Sequence, residues 1–226
     1  MLLPAYKCKG FDSECKDEMQ WHPGDGHVPR GFLGATGQLS DVELVLIMAE
    51  PGNPYEAKLG DPYPDESYSE GPLKEILNEV SEYAYECFKY PRDRPHRNVG
   101  YILEQCWPEL EFADRMRRTW ITESVLCSPH KRAAGQHSPL IPNEGGKVSE
   151  PVWSRCVDSY LKMQLSSLPG ATIAFLGAKY KDRAAKLAES LGREFIYALH
   201  PSHRETTEAG RVSWKPIVDE VRRKRR

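Results

Sequence analysis

The sequence has no apolar stretch long enough to cross a bilayer. Its first residues, MLLPAYKCKG, reach a proline and a lysine too early for a secretory signal, so a cytoplasmic location and no membrane partner are expected. Internal repeats and low-complexity linkers are missing as well. A single domain over residues 1–226 is the simplest expectation, with 39% hydrophobic residues to fill its core. Neither a G-x-G-x-x-G loop nor a Walker-type phosphate loop occurs, which argues against a nucleotide-binding α/β protein. An excess of positive charge is lacking too: 31 Lys and Arg face 33 Asp and Glu, for a formal charge of -2. A uniformly basic nucleic-acid binder is thereby excluded, but local basic patches are not.

Such patches are present as RDRPHR at 92–97, RMRR at 115–118, HKR at 130–132 and RRKRR at the end. Taken singly, each reads as a solvated face or a tail. The chain also carries six cysteines. In a cytosolic protein these stay reduced, so metal ligation or plain burial must account for them.

Four short runs rich in β-branched residues read as buried strands: VELVLIMA from Val42, TWITESVL from Thr119, ATIAFLGA from Ala171 and EFIYAL from Glu194. Between them, GPLKEILNEVSEYAYECF, PVWSRCVDSYLKMQL and KYKDRAAKLAESLG repeat apolar residues every three or four positions, and Gly192 is placed to stop the last. Strands alternating with helices predict a three-layer α/β/α sandwich around a central four-stranded, mainly parallel sheet. Two stretches rich in Pro, Gly and polar residues, 51–72 and 128–151, read as long loops and hence as carriers of function.

Parallel sheets bind ligands beyond the C-terminal ends of their strands. Three predicted strand ends carry chemistry there: Glu50 in IMAEPGNP, Thr122 and Glu123 in ITES, and His200-Pro201-Ser202 in YALHPSHR. Each alone has an ordinary reading, as a turn cap, a surface carboxylate or a structural histidine. Together they predict one functional rim.

In this order the motifs resemble those of the uracil-DNA glycosylase superfamily. Met48-Ala49-Glu50-Pro51-Gly52 is similar to its strand-end G-x-x-P-G or G-Q-D-P-Y loop, and His200-Pro201-Ser202 to its H-P-S loop. Thr122-Glu123-Ser124-Val125-Leu126-Cys127-Ser128-Pro129 resembles the T-N-x-V-K-C-x-P segment of the iron–sulfur branch, and the resemblance runs from Cys8 to beyond Ser202. It implies cluster ligands at Cys8, Cys15, Cys127 and Cys156. Four thiolates suit a four-iron, four-sulfur cluster or, by ligand count, a zinc ion; the resemblance favours the cluster. Cys8 and Cys15 stand farther apart than the branch's tight pair, and the stretch from Cys127 to Cys156 is longer than usual. Cys87 and Cys106 match no motif and read as small buried hydrophobes.

The same resemblance implies an enzyme that flips uracil out of DNA and hydrolyses its N-glycosidic bond, acting as a monomer in base excision repair. Glu50 would orient water and stabilise the cationic sugar, and His200 would donate to the departing base. Pro51, Gly52, Asn53, Tyr68 and Glu123 would hold the base, with Tyr55 and Tyr63 as alternative stacking rings. Lys131, Arg132, Ser202, His203 and Arg204 would meet DNA phosphates. Two positions depart from the branch: Ala49 stands where it has its own glutamate, and Glu123 where it has an asparagine. They motivate the alternative of a uracil-DNA binding protein without turnover, or one that traps the sugar on His130 or His137. A third class, an iron–sulfur or zinc protein for electron transfer or scaffolding, rests on the cysteines alone.

Overall fold

A computed structural model describes residues 8–20, 29, 31–51, 73–129, 147–202 and 207–225. They form two compact units that interleave along the chain. The first comprises Met1–Phe32, Glu50–Tyr83 and Glu123–Ser166, the second Leu33–Ala49, Ala84–Thr122 and Ser167–Arg226.

The second unit is built on a five-stranded sheet of order β1-β3-β2-β4-β5. Its strands are β1 Phe32–Gly34, β2 Leu44–Met48, β3 Thr119–Glu123, β4 Thr172–Leu176 and β5 Phe195–Ala198. Strand β4 runs parallel to both its neighbours, β2 and β5, with Leu44 opposite Thr172 and Ile173 opposite Phe195. Successive side chains of a strand point to opposite faces, yet Leu44 to Ile47 and Ile173 to Leu176 are all at most 1% exposed. Both faces of the sheet are therefore covered, as in an α/β sandwich. The fold class expected from the sequence is found, with five strands where four were expected. The added strand β1 is three residues long and sits between Gly31 and the left-handed Gly34, too short to show any alternation.

One face packs Leu44, Leu46, Ile121, Ala174 and Leu176 against helices α2 (Arg94–Cys106) and α7 (Thr207–Lys224). Helix α2 begins where Asp93 accepts the His96 N–H at 2.9 Å, and its buried stripe is Val99, Ile102, Leu103 and Cys106. Helices α3 (Phe112–Arg117) and α6 (Lys181–Ser190) also belong to the second unit, while α1 (Leu73–Lys89) is divided between the two units. Gly192, at φ +60°, closes the turn after α6, the role its sequence position predicts.

Three of the basic runs are structural. RDRPHR is the start of α2. Arg115 donates to Trp107 O at 3.0 Å, and Arg118 pairs with Glu43. Arg222 forks onto Gln105 O near the C-terminus of α2, at 2.9 and 2.5 Å, where a cation meets the negative end of the helix. Arg225 reaches Glu109 at 2.8 Å and Glu43 at 3.7 Å.

Glu43 thus accepts from Arg118 and from the Trp107 indole at 3.2 Å, and forms a longer ion pair with Arg225, directly before β2. Its side chain is 28% exposed and that of Arg118 36%, so solvent screening reduces the charge term. Replacing Glu43 with alanine leaves the Arg118 guanidinium and the Trp107 indole N–H short of an acceptor. We expect a loss of about 2 kcal/mol of stability, read as a lower urea midpoint at unchanged slope. Lys215→Ala, which breaks an exposed pair with Asp219, should change it by less than about 0.5 kcal/mol.

The first unit opens with a 3₁₀ turn, Lys9–Asp12, and ends with helix α4 (Glu150–Cys156), a π-helical turn (Val157–Leu161) and helix α5 (Lys162–Ser166). Ser149 caps α4 through the Val152 N–H, while its own N–H donates to the buried Glu18 carboxylate at 2.7 Å. Gln20 bonds Ser128 O through its backbone and Pro129 O through its amide, and Met19 bridges to Pro129. The N-terminal cysteine segment is thereby pinned to the segment that carries Cys127. Among the described residues, no helix is long and apolar enough to cross a membrane.

Candidate metal centre and strand-end residues

All six cysteines are free thiols. Four of them, Cys8, Cys15, Cys127 and Cys156, belong to the first unit, although they come from two distant stretches of the chain, Met1–Phe32 and Glu123–Ser166. The 3₁₀ turn folds Cys8 and Cys15 over Gly10. A Cβ at Gly10 would lie 2.9 Å from Cys15 Sγ and 3.4 Å from Cys8 Sγ, so this position has no room for a side chain. The Gly10 N–H donates to Cys8 Sγ at 3.4 Å, and the Gly10 carbonyl accepts the Cys15 N–H at 2.8 Å.

Electrostatics ties the other two sulfurs to these. Burial first, then the neighbouring Cys156 and Cys8, pushes the Cys15 thiol up to about 12. Burial likewise raises Cys156 to about 11, against a backbone N–H from Leu126 that stabilises its thiolate. The Tyr160 phenol is raised by burial, by its hydrogen bond with Cys8, and by the charges of Cys8, Cys156 and Cys127. Arg155 opposes these terms at Cys15 and Cys156, and it pairs with Glu14 at 3.5 Å. Three buried thiols and one half-buried thiol, two of them already accepting backbone N–H bonds, suit a thiolate-held centre.

Among the described residues, no three His, Cys, Asp or Glu side chains close around the position of a single metal ion. Zinc would need its sulfurs about 2.3 Å from one point. The four cysteines belong to one unit without that closure. Cys87 and Cys106 lie in helices α1 and α2, where Cys106 is fully buried and burial lifts its thiol to about 12. Cys106 is thus the small hydrophobe that its lack of a motif suggests.

At the strand ends, β2 runs out at Met48 and continues through Ala49 and Glu50 to the buried Pro51. Glu50 is half-buried, with its Oε2 out of contact with solvent. Glu123 is the last residue of β3, also half-buried with a buried Oε2, and its N–H donates to Gly31 O at 2.8 Å. Glu50 and Glu123 belong to the first unit; His200 and Ser202 belong to the second.

His200 follows β5 and is held by its neighbours. The Leu199 N–H donates to Ser213 Oγ at 2.8 Å, the Trp214 indole donates to Leu199 O at 2.8 Å, and Asn98 Nδ2 donates to Pro201 O at 2.6 Å. The Ser202 N–H donates to His200 Nδ1 at 3.1 Å, and Ser202 Oγ lies 2.6 Å from the same nitrogen. Because a backbone N–H can only donate, Nδ1 is an acceptor and the neutral ring carries its proton on Nε2. Beneath the ring, Gly177 has φ +110°, and a Cβ there would meet His200 Cβ at 3.3 Å. Only glycine suits both the backbone and this approach.

In the order β1-β3-β2-β4-β5 the chain steps from β2 to β3 in one direction and from β4 to β5 in the other, so the strand order reverses between β2 and β4. Open α/β sheets hold ligands at such a switch, beyond the C-terminal strand ends. Several residues expected at the site from the sequence lie outside the described residues: Gly52, Asn53, Tyr55, Tyr63, Tyr68, His130, Lys131, Arg132, His137, His203 and Arg204.

Sequence reasoning missed Gly10, Asn98, Tyr160 and Gly177. Tyr160 had a signal, since it stands four residues after Cys156 in a helical pattern and so shares a face with it. Asn98 had none, because its link to Pro201 joins residues far apart in the chain. No family model matches the sequence, and no curated protein matches it.

Proposed function

We propose that the protein is a uracil-DNA glycosylase carrying a four-cysteine iron–sulfur centre. The observation that supports this reading most is the gathering of Cys8, Cys15, Cys127 and Cys156 in one unit. These are the four positions that the resemblance assigns, while Cys106 is buried in the core of the other unit. The preference for a cluster over a zinc ion comes from the resemblance, since among the described residues no three such side chains close on a metal position. The centre would hold the N-terminal segment, the β3 extension and α4 together, which is a structural role.

Breaking the N-glycosidic bond puts positive charge on the sugar and negative charge on the departing uracil. His200, with its proton on Nε2, is set to donate to the uracil oxygen that gains charge. Glu50 supplies a carboxylate that attracts the cationic sugar and accepts a proton from water. Glu123, where the branch has an asparagine, accepts the uracil N3–H when ionised and donates to a carbonyl only when protonated. The duplex itself is the partner, bound chiefly through its phosphates by Lys131, Arg132, Ser202, His203 and Arg204.

Incubating the protein with a uracil-containing oligonucleotide, then cleaving abasic sites with alkali, tests this reading. Strand scission with uracil and none with thymine is expected. A tight, uncleaved complex would replace it with the binding-protein reading that Ala49 and Glu123 motivate. Asn98→Ala releases the Pro201 carbonyl and loosens the His200 loop, so excision should slow several-fold while stability falls by about 1 kcal/mol. An unchanged single-turnover rate would remove Asn98 from the support of His200.

A further inference from the structure

From the hydrogen bonds beyond β5 we infer that Ser213 and Trp214 of α7 are positioning residues for His200, holding both backbone polar groups of Leu199 and so setting the path on which the imidazole is presented. The inference rests on the reading of His200 as the donor to the departing uracil, and it adds two residues that no motif in the sequence marks.

Strand β5 ends at Ala198, whose carbonyl accepts the Gly177 N–H from the end of β4 at 2.7 Å. One residue later the N–H and C=O of Leu199 need partners outside the strand. Two consecutive residues of α7 supply them. Ser213 Oγ accepts the Leu199 N–H at 2.8 Å, and the Trp214 indole N–H donates to the Leu199 carbonyl at 2.8 Å. A planar peptide joins that carbonyl to the nitrogen and Cα of His200, so fixing the carbonyl fixes the plane from which His200 starts.

The donor is itself held. Trp214 is 3% exposed within the core, with its ring 6.3 Å from that of Tyr101. One turn earlier on α7, a Cβ at Gly210 would lie 2.8 Å from the indole Cη2, so the ring rests directly on the Gly210 backbone. A phenylalanine would fill most of this space but has no donor for Leu199.

On the far side of the imidazole, Asn98 Nδ2 donates to the Pro201 carbonyl at 2.6 Å, and the Ser202 N–H donates to His200 Nδ1 at 3.1 Å. That last bond keeps the ring proton on Nε2, and it forms only while residues 199–202 hold their course. Ser213 and Trp214 fix the start of this course and Asn98 its end. Releasing Leu199 shifts the loop, weakens the bond to Nδ1 and lets the proton sit on either nitrogen.

The test compares the wild-type protein with Ser213→Ala and Trp214→Phe, each of which removes one bond to Leu199, and with Ser213→Thr, which keeps the hydroxyl. Nitrogen NMR of labelled histidine, with His200 assigned by its absence from His200→Ala, gives the share of the neutral ring protonated on Nε2. Single-turnover excision and oligonucleotide affinity are measured beside it. The wild type should hold the proton on Nε2. Ser213→Ala and Trp214→Phe should each give a mixture of tautomers and slow excision about tenfold or more, with affinity held within a few fold, and Ser213→Thr should restore both. A role in packing alone would lower stability and leave the tautomer unchanged. An unchanged tautomer in both Ser213→Ala and Trp214→Phe therefore overturns the inference, and the glycosylase reading stands if the wild type excises uracil. A wild type that excises none overturns that reading, and the tautomers alone then decide whether Ser213 and Trp214 position the ring. Should Trp214→Phe fail to fold, the two Ser213 variants decide in the same way.

Discussion

Replacing Glu50 with glutamine is expected to cut the single-turnover rate of uracil excision by about 100-fold or more, with affinity for the oligonucleotide held within a few fold. The substitution preserves shape and removes the negative charge, so the loss falls on the transition state, where the sugar is cationic, and hardly on the bound substrate. A 100-fold loss corresponds to about 2.7 kcal/mol of barrier. The carboxylate is placed for such an effect. It is half-buried with Oε2 shielded from solvent, and a charge in that setting acts more strongly than one in bulk water. Were Glu50 only a cap on the turn into Pro51, the same change would lower stability by about 1 kcal/mol and spare the rate. His200→Ala is the companion, since it removes the Nε2 donor and should also slow excision. If both variants excise at the wild-type rate, the strand-end residues are not the active site.

The second large effect concerns the cysteines. Cys127→Ser or Cys156→Ser should abolish the brown colour and the binding of about four irons per chain, whereas Cys87→Ser and Cys106→Ser should retain both. A serine oxygen is a poor substitute for a soft thiolate. The loss should extend to folding, because these four residues come from two distant stretches of the chain and binding energy at such a centre is folding energy. Loading must also displace protons, since burial holds Cys15 and Cys156 protonated up to about 12 and about 11. Iron measured per chain in the five proteins decides the matter. Full iron content in Cys127→Ser would remove it from the ligand set, and equal loss in Cys106→Ser would show the loss to be a general effect of core disruption.

The parts of the fold that could be read from the sequence are those in which one local pattern dominates. The strands β2, β3 and β4 announce themselves as short apolar runs because they are buried on both faces, and Gly192 marks the end of α6 because a left-handed residue is needed there. Strand β1 escaped, being three residues long. Helix α2 was masked by its own N-terminus, where RDRPHR reads as a basic patch although Asp93 is a cap. RRKRR reads as a tail, yet Arg222 and Arg225 bind Gln105, Glu109 and Glu43, contacts over long sequence distances that no local pattern encodes. At the candidate site, the residues that the sequence singles out are those with a chemical motif: the four cysteines, Glu50 and His200. Their supports, Gly10, Gly177, Asn98 and Tyr160, act through space and become visible only when the chain is folded.

The most direct measurement is the number of free uracil molecules released per protein molecule from excess uracil-DNA, counted by mass spectrometry against a thymine control. The proposed hydrolysis gives many uracils per chain, rising linearly with time and abolished by thymine substitution. A plateau at one uracil per chain would mean a covalent trap. Complete absence of uracil, from protein that carries its full complement of iron, would contradict the glycosylase reading outright.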